Sequence, residues 1–254
     1  MFPVLQLGPF AVQTAGLALL LSFALGSSLA EREARQLGVD AALVSNGILL
    51  ALAAGLIGAR LVYAARYLDT YRASPAGLIA LNPSALAVPE GIAIAAAAAL
   101  FYWWVKELPL RAALDALTPL LAVLAIGIGV AHLAAGTAYG AATRVPWAIH
   151  LWDEYRHPSQ AYEIVAAALV YVIIVRARRF ASFPGFLFLS WLTLSATARL
   201  FLETFRGDTT LILGGLRLAQ VLSLVVLLLG LWLMGRWARP GGAEPEDGPE
   251  VASH

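Results

Sequence analysis

The sequence predicts an all-α polytopic membrane protein of about seven transmembrane helices in a single domain. Three observations carry that prediction. First, 60% of the 254 residues are hydrophobic and 13% charged, against about 45–50% apolar and about 25% charged in an ordinary soluble domain. Second, the mean hydropathy is +0.77. Third, apolar runs of spanning length recur between charged and Pro/Gly-rich clusters. One span needs about 20 mostly apolar residues, so seven would occupy roughly 140 positions and leave the rest for loops and tails. Hydrocarbon offers no hydrogen-bond partners, so each run must satisfy its own backbone as a helix. Runs rich in Leu, Ala and Val lack the polar alternation of barrel strands.

The elements follow in chain order, with spans expected at residues 12–30, 42–65, 89–105, 113–133, 161–175, 186–202 and 216–235. The residues before the first span lack the basic stretch and small-residue cleavage site of a removable signal, so that span is expected to remain. The second run stops at Arg66, and the connection to the third holds Pro75 and Asn82-Pro83, which read as turns. The fourth run leads into residues 134–160, where Gly136, Gly140, Pro146 and Pro158 mix with Trp147 and Trp152. That mixture suits a platform at headgroup depth. Pro158 can open the fifth helix, because its missing N–H would be unpaired there anyway. Ser159 and Gln160 are expected to bond the first-turn donors, and Glu163 suits a position near a helix N-terminus. Residues 240–254 are Gly/Pro/Glu-rich and are expected to form a disordered cytoplasmic tail after a transmembrane domain of residues 1–239.

Basic residues in alternate connections set the expected orientation. One set holds Arg32, Arg35, Lys106, Arg111, Arg176, Arg178, Arg179, Arg236 and Arg239; the opposite set holds Arg66, Arg72, Arg144, Arg156 and Arg206. The richer set belongs in the cytoplasm, which puts the N-terminus outside and the C-terminus inside. A net charge of +1 with no basic run excludes a nucleic-acid surface. The chain has no cysteine, hence no disulfide, thiolate metal site or cysteine nucleophile of its own. No two of His132, His150, His157 and His254 sit at a helical metal-binding spacing, so neither metal nor cofactor is expected.

Ionisable residues inside spans are costly, and each one points to function by default. They are Arg60, Glu90, Asp115, His132, Glu163, Arg199, Glu203 and Arg217. Asp115 lies near the inner end of its span and is expected to snorkel to water; for Arg217, near the outer end, snorkelling and function stand level. Arg199 and Glu203 are four residues apart, share a helix face and can pair. Arg206 adds a second cation to that face. Guanidinium groups grip phosphate through a bidentate fork that Lys lacks. A face of this kind, opening toward the headgroups, suits a phospholipid phosphate; a structural ion pair accounts for it equally.

Several stretches together resemble one family. His157-Pro158-Ser159-Gln160-Ala161-Tyr162-Glu163 is similar to the H-P-[ST]-Q-x-Y-E motif of the bacterial prolipoprotein diacylglyceryl transferases. The stretch from Arg199 through Glu203 and Arg206 to Asp208 resembles their R-F-x-x-E-F-x-R-x-x-D region, and Gln220 to Ser223 continues it like their Q-x-L-S. Gly58-Ala59-Arg60-Leu61-Val62-Tyr63 resembles their G-G-R-x-G-Y. The family signature G-R-x-G-N-F-x-N-G-E-x-x-G falls on residues 128–140, where Gly136 and Gly140 are kept. Its Arg falls on Gly129, its Asn residues on His132 and Ala135, and its Glu on Thr137. The family histidine proposed as base falls on Glu90, and the tyrosine of its first span on Ala15.

The resemblance implies transfer of a diacylglyceryl group from phosphatidylglycerol, or a related phospholipid, to the lipobox cysteine thiol of a prolipoprotein signal peptide, in the bacterial plasma membrane and with no cofactor. It implies phosphate binding by Arg199, Arg206 and Arg60, with Glu203 orienting Arg199. Glu90 and His132 are the candidate bases in altered positions. His157, Gln160, Tyr162 and Glu163, with Gly140, belong to the substrate-binding mouth. Two readings stand beside the active transferase: a member that has lost the chemistry and binds lipid or lipoprotein as a membrane module, and a transporter or proton path. Transporters commonly carry internal repeats, and none is visible here.

Overall fold

The apolar runs form helices that carry one another's gaps. A computed structural model of the chain describes residues 4–7, 10–74, 77, 85–212 and 214–239. Its helices are α1 (Thr14–Gln36), α2 (Ala41–Arg66), the short α3 (Leu68–Ala73), α4 (Val88–Val105), α5 (Leu110–Ala135), α6 (Ser159–Ala177), α7 (Phe186–Leu202) and α8 (Leu218–Trp237). Among the described residues, seven helices are long and apolar enough to cross a membrane, one for each expected span. The expected tail, 240–254, and the turns at Pro75 and Asn82-Pro83 lie outside the described residues.

The centre is α5. Half of its most apolar window is buried, against 11–28% for the other six, so α5 is the core helix and the others present broad apolar faces outward. It packs on α1, α6 and α7, while α2 pairs with α4 and α8 with α7. Glycines let these backbones approach as they do in membrane bundles generally. A Cβ on Gly26 would stand 2.7 Å from Leu120, one on Gly127 1.9 Å from Ser22 Oγ, and one on Gly129 2.8 Å from Ile164. These contacts run antiparallel, as do Gly55 with Ala95 and Gly91 with Ala59 in the α2–α4 pair.

Alternation of direction collects the polar connections at one end of the bundle. There lie α3 and three two-stranded hairpins: β1 (Val4–Leu7) with β2 (Phe10–Gln13), β3 (Ile149–Leu151) with β4 (Glu154–Arg156), and β5 (Leu211–Ile212) with β6 (Leu216–Arg217). At the opposite end, Arg178 pairs with the buried Glu33, and Arg35 with Glu31.

Asp115 departs from the snorkelling expectation. It is buried, and its carboxylate accepts from the backbone N–H groups of Gly185 (2.6 Å) and Phe188 (2.9 Å) at the start of α7. Those donors have no partners within their own helix, and α7 carries no capping side chain of its own. An anion is favourable at that position, so Asp115 caps a neighbouring helix instead of reaching for water.

Candidate active site

The site begins where α5 ends. Gly136 takes the left-handed conformation that closes the helix, and the chain then runs extended between two other segments. Ala141 N–H donates to Phe205 O and Gly207 N–H to Tyr139 O on one side; His157 N–H donates to Ala141 O and Thr143 N–H to Tyr155 O on the other. Gly140 sits where the three backbones are closest. A Cβ there would stand 2.2 Å from His157 O, which gives this glycine a steric reason to be glycine. This threading locks the α5–α6 connection to the end of α7. It also brings the fifth and sixth expected spans together at their polar ends.

Glu163, in the second turn of α6, is the hub of the charges that result. Its Oε1 accepts from Arg199 Nη1 (3.0 Å) and Arg206 Nη1 (2.7 Å), and its Oε2 lies 2.9 Å from His132 Nδ1. The buried Glu203 pairs with Arg199 Nη2 at 3.3 Å, so the expected Arg199–Glu203 pair forms. Arg206 is gripped again by Asp208, through Nε to Oδ1 (3.0 Å) and Nη2 to Oδ2 (2.9 Å). Arg217 donates to the carbonyls of Glu203 and Arg206 and so closes the exposed end of α7. These contacts divide two of the three phosphate candidates. Arg206 has both edges of its fork occupied and is 10% exposed, whereas Arg199 is 38% exposed.

A cavity of about 190 Å³ runs down from this cluster between α5, α6 and α7. His132, Glu163 and Arg199 line its polar end; Ala166, Ala167 and Val170 of α6, Ala125 and Ile128 of α5, and Trp191 and Ser195 of α7 line its apolar length. An amphiphile with an anionic head has the matching polarity.

The remaining candidates are dispersed around this centre. His157 Nδ1 and Trp147 Nε1 both approach the Tyr162 hydroxyl, at 3.3 and 2.6 Å, and the His157 and Tyr162 rings pack edge-on against Phe205. Ser159 and Gln160 do not cap their own helix, contrary to the sequence reading. Ser159 Oγ donates to Ala138 O (2.6 Å) and Gln160 Nε2 to Thr137 O (2.8 Å), tying α6 back to the segment that leaves α5. Arg60 donates to the carbonyls of Ala85 and Gly77 and lies over the Tyr71 ring, on the α2–α4 side. Glu90 pairs with Arg66 on that same side. Neither of these two lines the cavity.

The sequence reading passed over Asp208, Trp191 and Ser195. For Asp208 its place two residues after Arg206 is a signal, one residue short of the family's R-x-x-D spacing; Trp191 and Ser195 lie in an apolar run with nothing to single them out.

Residues 3–236 match the prolipoprotein diacylglyceryl transferase family. Relatives named phosphatidylglycerol–prolipoprotein diacylglyceryl transferase include one from Clostridioides difficile (strain 630), 28% identical over 85% of this chain and 87% of its own length. Another, from Trichormus variabilis, is 29% identical over 92% of this chain and 90% of its own. A third, from Bacillus velezensis, is 27% identical over 90% and 89%.

Proposed function

The chain belongs to the prolipoprotein diacylglyceryl transferase family, and from that membership we propose that it transfers a diacylglyceryl group from phosphatidylglycerol to the thiol of a lipobox cysteine in a prolipoprotein. A carbon–sulfur bond forms at the glyceryl carbon that carried the phosphate. The carbon–oxygen bond to that phosphate breaks, and glycerol phosphate leaves with the bonding electrons. The thiol proton goes to a base. The protein must therefore supply two things: a cation where negative charge grows on the leaving phosphate, and a proton acceptor beside the sulfur. Because the thiol comes from the acceptor, the absence of cysteine from this chain is no obstacle.

The observation that carries the reading is Arg199 at the polar end of the otherwise apolar cavity, held by Glu163 and Glu203 with part of its guanidinium open. Arg199 takes the phosphate. Arg206, fixed by Asp208 and Glu163, adds positive potential and holds Glu163 in place. Glu203 orients Arg199, and His157, Tyr162 and Gln160 shape the mouth. The basic residues at the opposite end of the bundle support a site on the outer side of a bacterial plasma membrane, where lipoprotein precursors present their cysteine.

His132 is the base. Two guanidinium groups on Glu163 Oε1 keep that side chain a carboxylate, and a carboxylate accepts hydrogen bonds without donating them. The hydrogen between His132 and Glu163 therefore sits on Nδ1, which makes Nε2 the ring nitrogen that can accept a proton. No described residue partners Nε2, and His132 lines the cavity. Glu90, in contrast, is engaged by Arg66 and stands away from Arg199.

In phosphatidylglycerol liposomes with a lipobox-cysteine peptide, Arg199→Ala is expected to slow product formation by about 10²–10³-fold. Arg199→Lys, which keeps the charge but not the fork, restores part of the rate. An Arg199→Ala enzyme as fast as the parent would remove the phosphate site from this cavity.

A further inference from the structure

The mechanism leaves one buried donor unused. Trp191 Nε1 is shielded from solvent and has no hydrogen-bond partner among the described residues. The other buried polar atoms without a partner, among the described residues, are all oxygens: Ser27 Oγ, Gln160 Oε1 and one carboxylate oxygen each of Glu33, Glu90 and Glu203. Each of those glutamates already has an ion pair. Trp191 Nε1 is thus the lone pure donor in that group, and Trp191 is also the one member of the group whose residue lines the cavity. An indole N–H can only donate, and a buried donor left unsatisfied is destabilising. The cavity touches the indole ring while the N–H lies just beneath its surface, so an acceptor inside the cavity meets that donor once the ring turns about its side-chain bonds.

Its position indicates which acceptor. Trp191 stands eight positions before Arg199 on α7, about 12 Å of helix rise. A phosphate held by Arg199 would leave the rest of a glycerolipid pointing down the cavity toward Trp191. The first acceptors below the phosphate, a few bonds away, are the ester carbonyls at the head of the acyl chains. Ala166, Ala167 and Val170 on the facing helix supply no competing side-chain donor or acceptor. The remaining polar side chain along that length, Ser195, stands one turn above Trp191 on α7.

We infer that Trp191 Nε1 donates to an ester carbonyl of the bound lipid, so that the cavity selects ester-linked diacylglyceryl phospholipids over ether-linked ones. This rests on the lipid-transfer reading above and names the residue that reads the acyl esters of the lipid. One rung of recognition, the phosphate on Arg199, fixes the headgroup; the second, on Trp191, fixes how far the glyceryl carbon descends relative to His132.

The test separates this inference from the reading beneath it by measuring binding instead of turnover. Full-length protein in detergent micelles is titrated with phosphatidylglycerol bearing palmitoyl esters, and with the same headgroup bearing hexadecyl ethers, by competition in native mass spectrometry. The parent is expected to bind the ester form about threefold to tenfold more tightly, the value of one net hydrogen bond. Trp191→Phe keeps the ring and its packing but loses the N–H. It should bind both lipids alike, with its loss confined to the ester form. Equal binding of both lipids by the parent would overturn the inference, as would an ester preference that survives in Trp191→Phe. A uniform loss on both lipids would overturn it too, since that marks a packing role. A parent that shows the ester preference yet forms no lipidated peptide would count against the transfer reading alone.

Discussion

Replacing His132 with Asn is expected to slow diacylglyceryl transfer by about 10²–10⁴-fold, the range of one positioned general base. Asn is the residue type that the family signature carries at this position, so the substitution tests whether the chain has moved its base rather than merely tolerated a change. The deficit should shrink with rising pH. A free thiol titrates at about 8.5, so below that value each unit of pH supplies about tenfold more thiolate and relieves the need for a base. A variant that merely distorts the site would keep a constant deficit. The charged groups facing His132 are Glu163 directly and Arg199 and Arg206 through it. From residue 14 to 30, α1 carries no titratable side chain, so it adds no competing ionisation. Glu90→Gln, measured alongside, is expected to leave the rate near that of the parent. A His132→Asn rate equal to the parent's, with a large loss in Glu90→Gln, would move the base to α4.

Glu163→Gln is expected to damage both stability and activity. The carboxylate is 13% exposed and holds two guanidinium groups and an imidazole. Removing one partner from a buried charge cluster typically costs about 3–5 kcal/mol, because the remaining charges are left uncompensated. The amide also reverses the proton arrangement. Its N–H₂ can donate to His132 Nδ1, which puts the imidazole hydrogen on Nε2 and takes the lone pair away from the cavity. Activity should therefore fall about as far as in His132→Asn, even in protein that remains folded. A thermal unfolding midpoint unchanged from the parent, together with full transfer activity, would contradict the hub role. Glu163→Asp keeps the charge with a shorter reach and is expected to recover stability more than rate.

The seven spans were legible because their physics is local: each is a run of apolar residues bounded by charge or by proline. The site was half legible for the same reason. Arg199 and Glu203 share a face by helical spacing alone, and the pair forms. Glu163 read as a favourable charge near a helix start, since nothing local says that Arg199, 36 positions later, would meet its carboxylate. That contact is set by how α6 packs on α7, which no periodicity reports. Asp115 shows the same limit: its partners are the backbone donors of a helix about 70 residues on. The hairpin turn at Trp152-Asp153 was hidden differently. Both residues adopt positive φ, 54° and 61°, a conformation usually marked by Asn or Gly and here taken by neither. Trp191 gave no signal at all, because an unpaired donor becomes visible only once its surroundings are built.

The most direct test of the central claim is the mass of a lipobox-cysteine peptide after incubation with the purified protein in phosphatidylglycerol liposomes, beside a serine-for-cysteine peptide. The account predicts that the cysteine peptide gains one diacylglyceryl mass with release of glycerol phosphate, while the serine peptide is unchanged. A cysteine peptide of unaltered mass, under conditions where another member of the family modifies it, would contradict the account and leave the chain as a lipid-binding member that has lost the reaction.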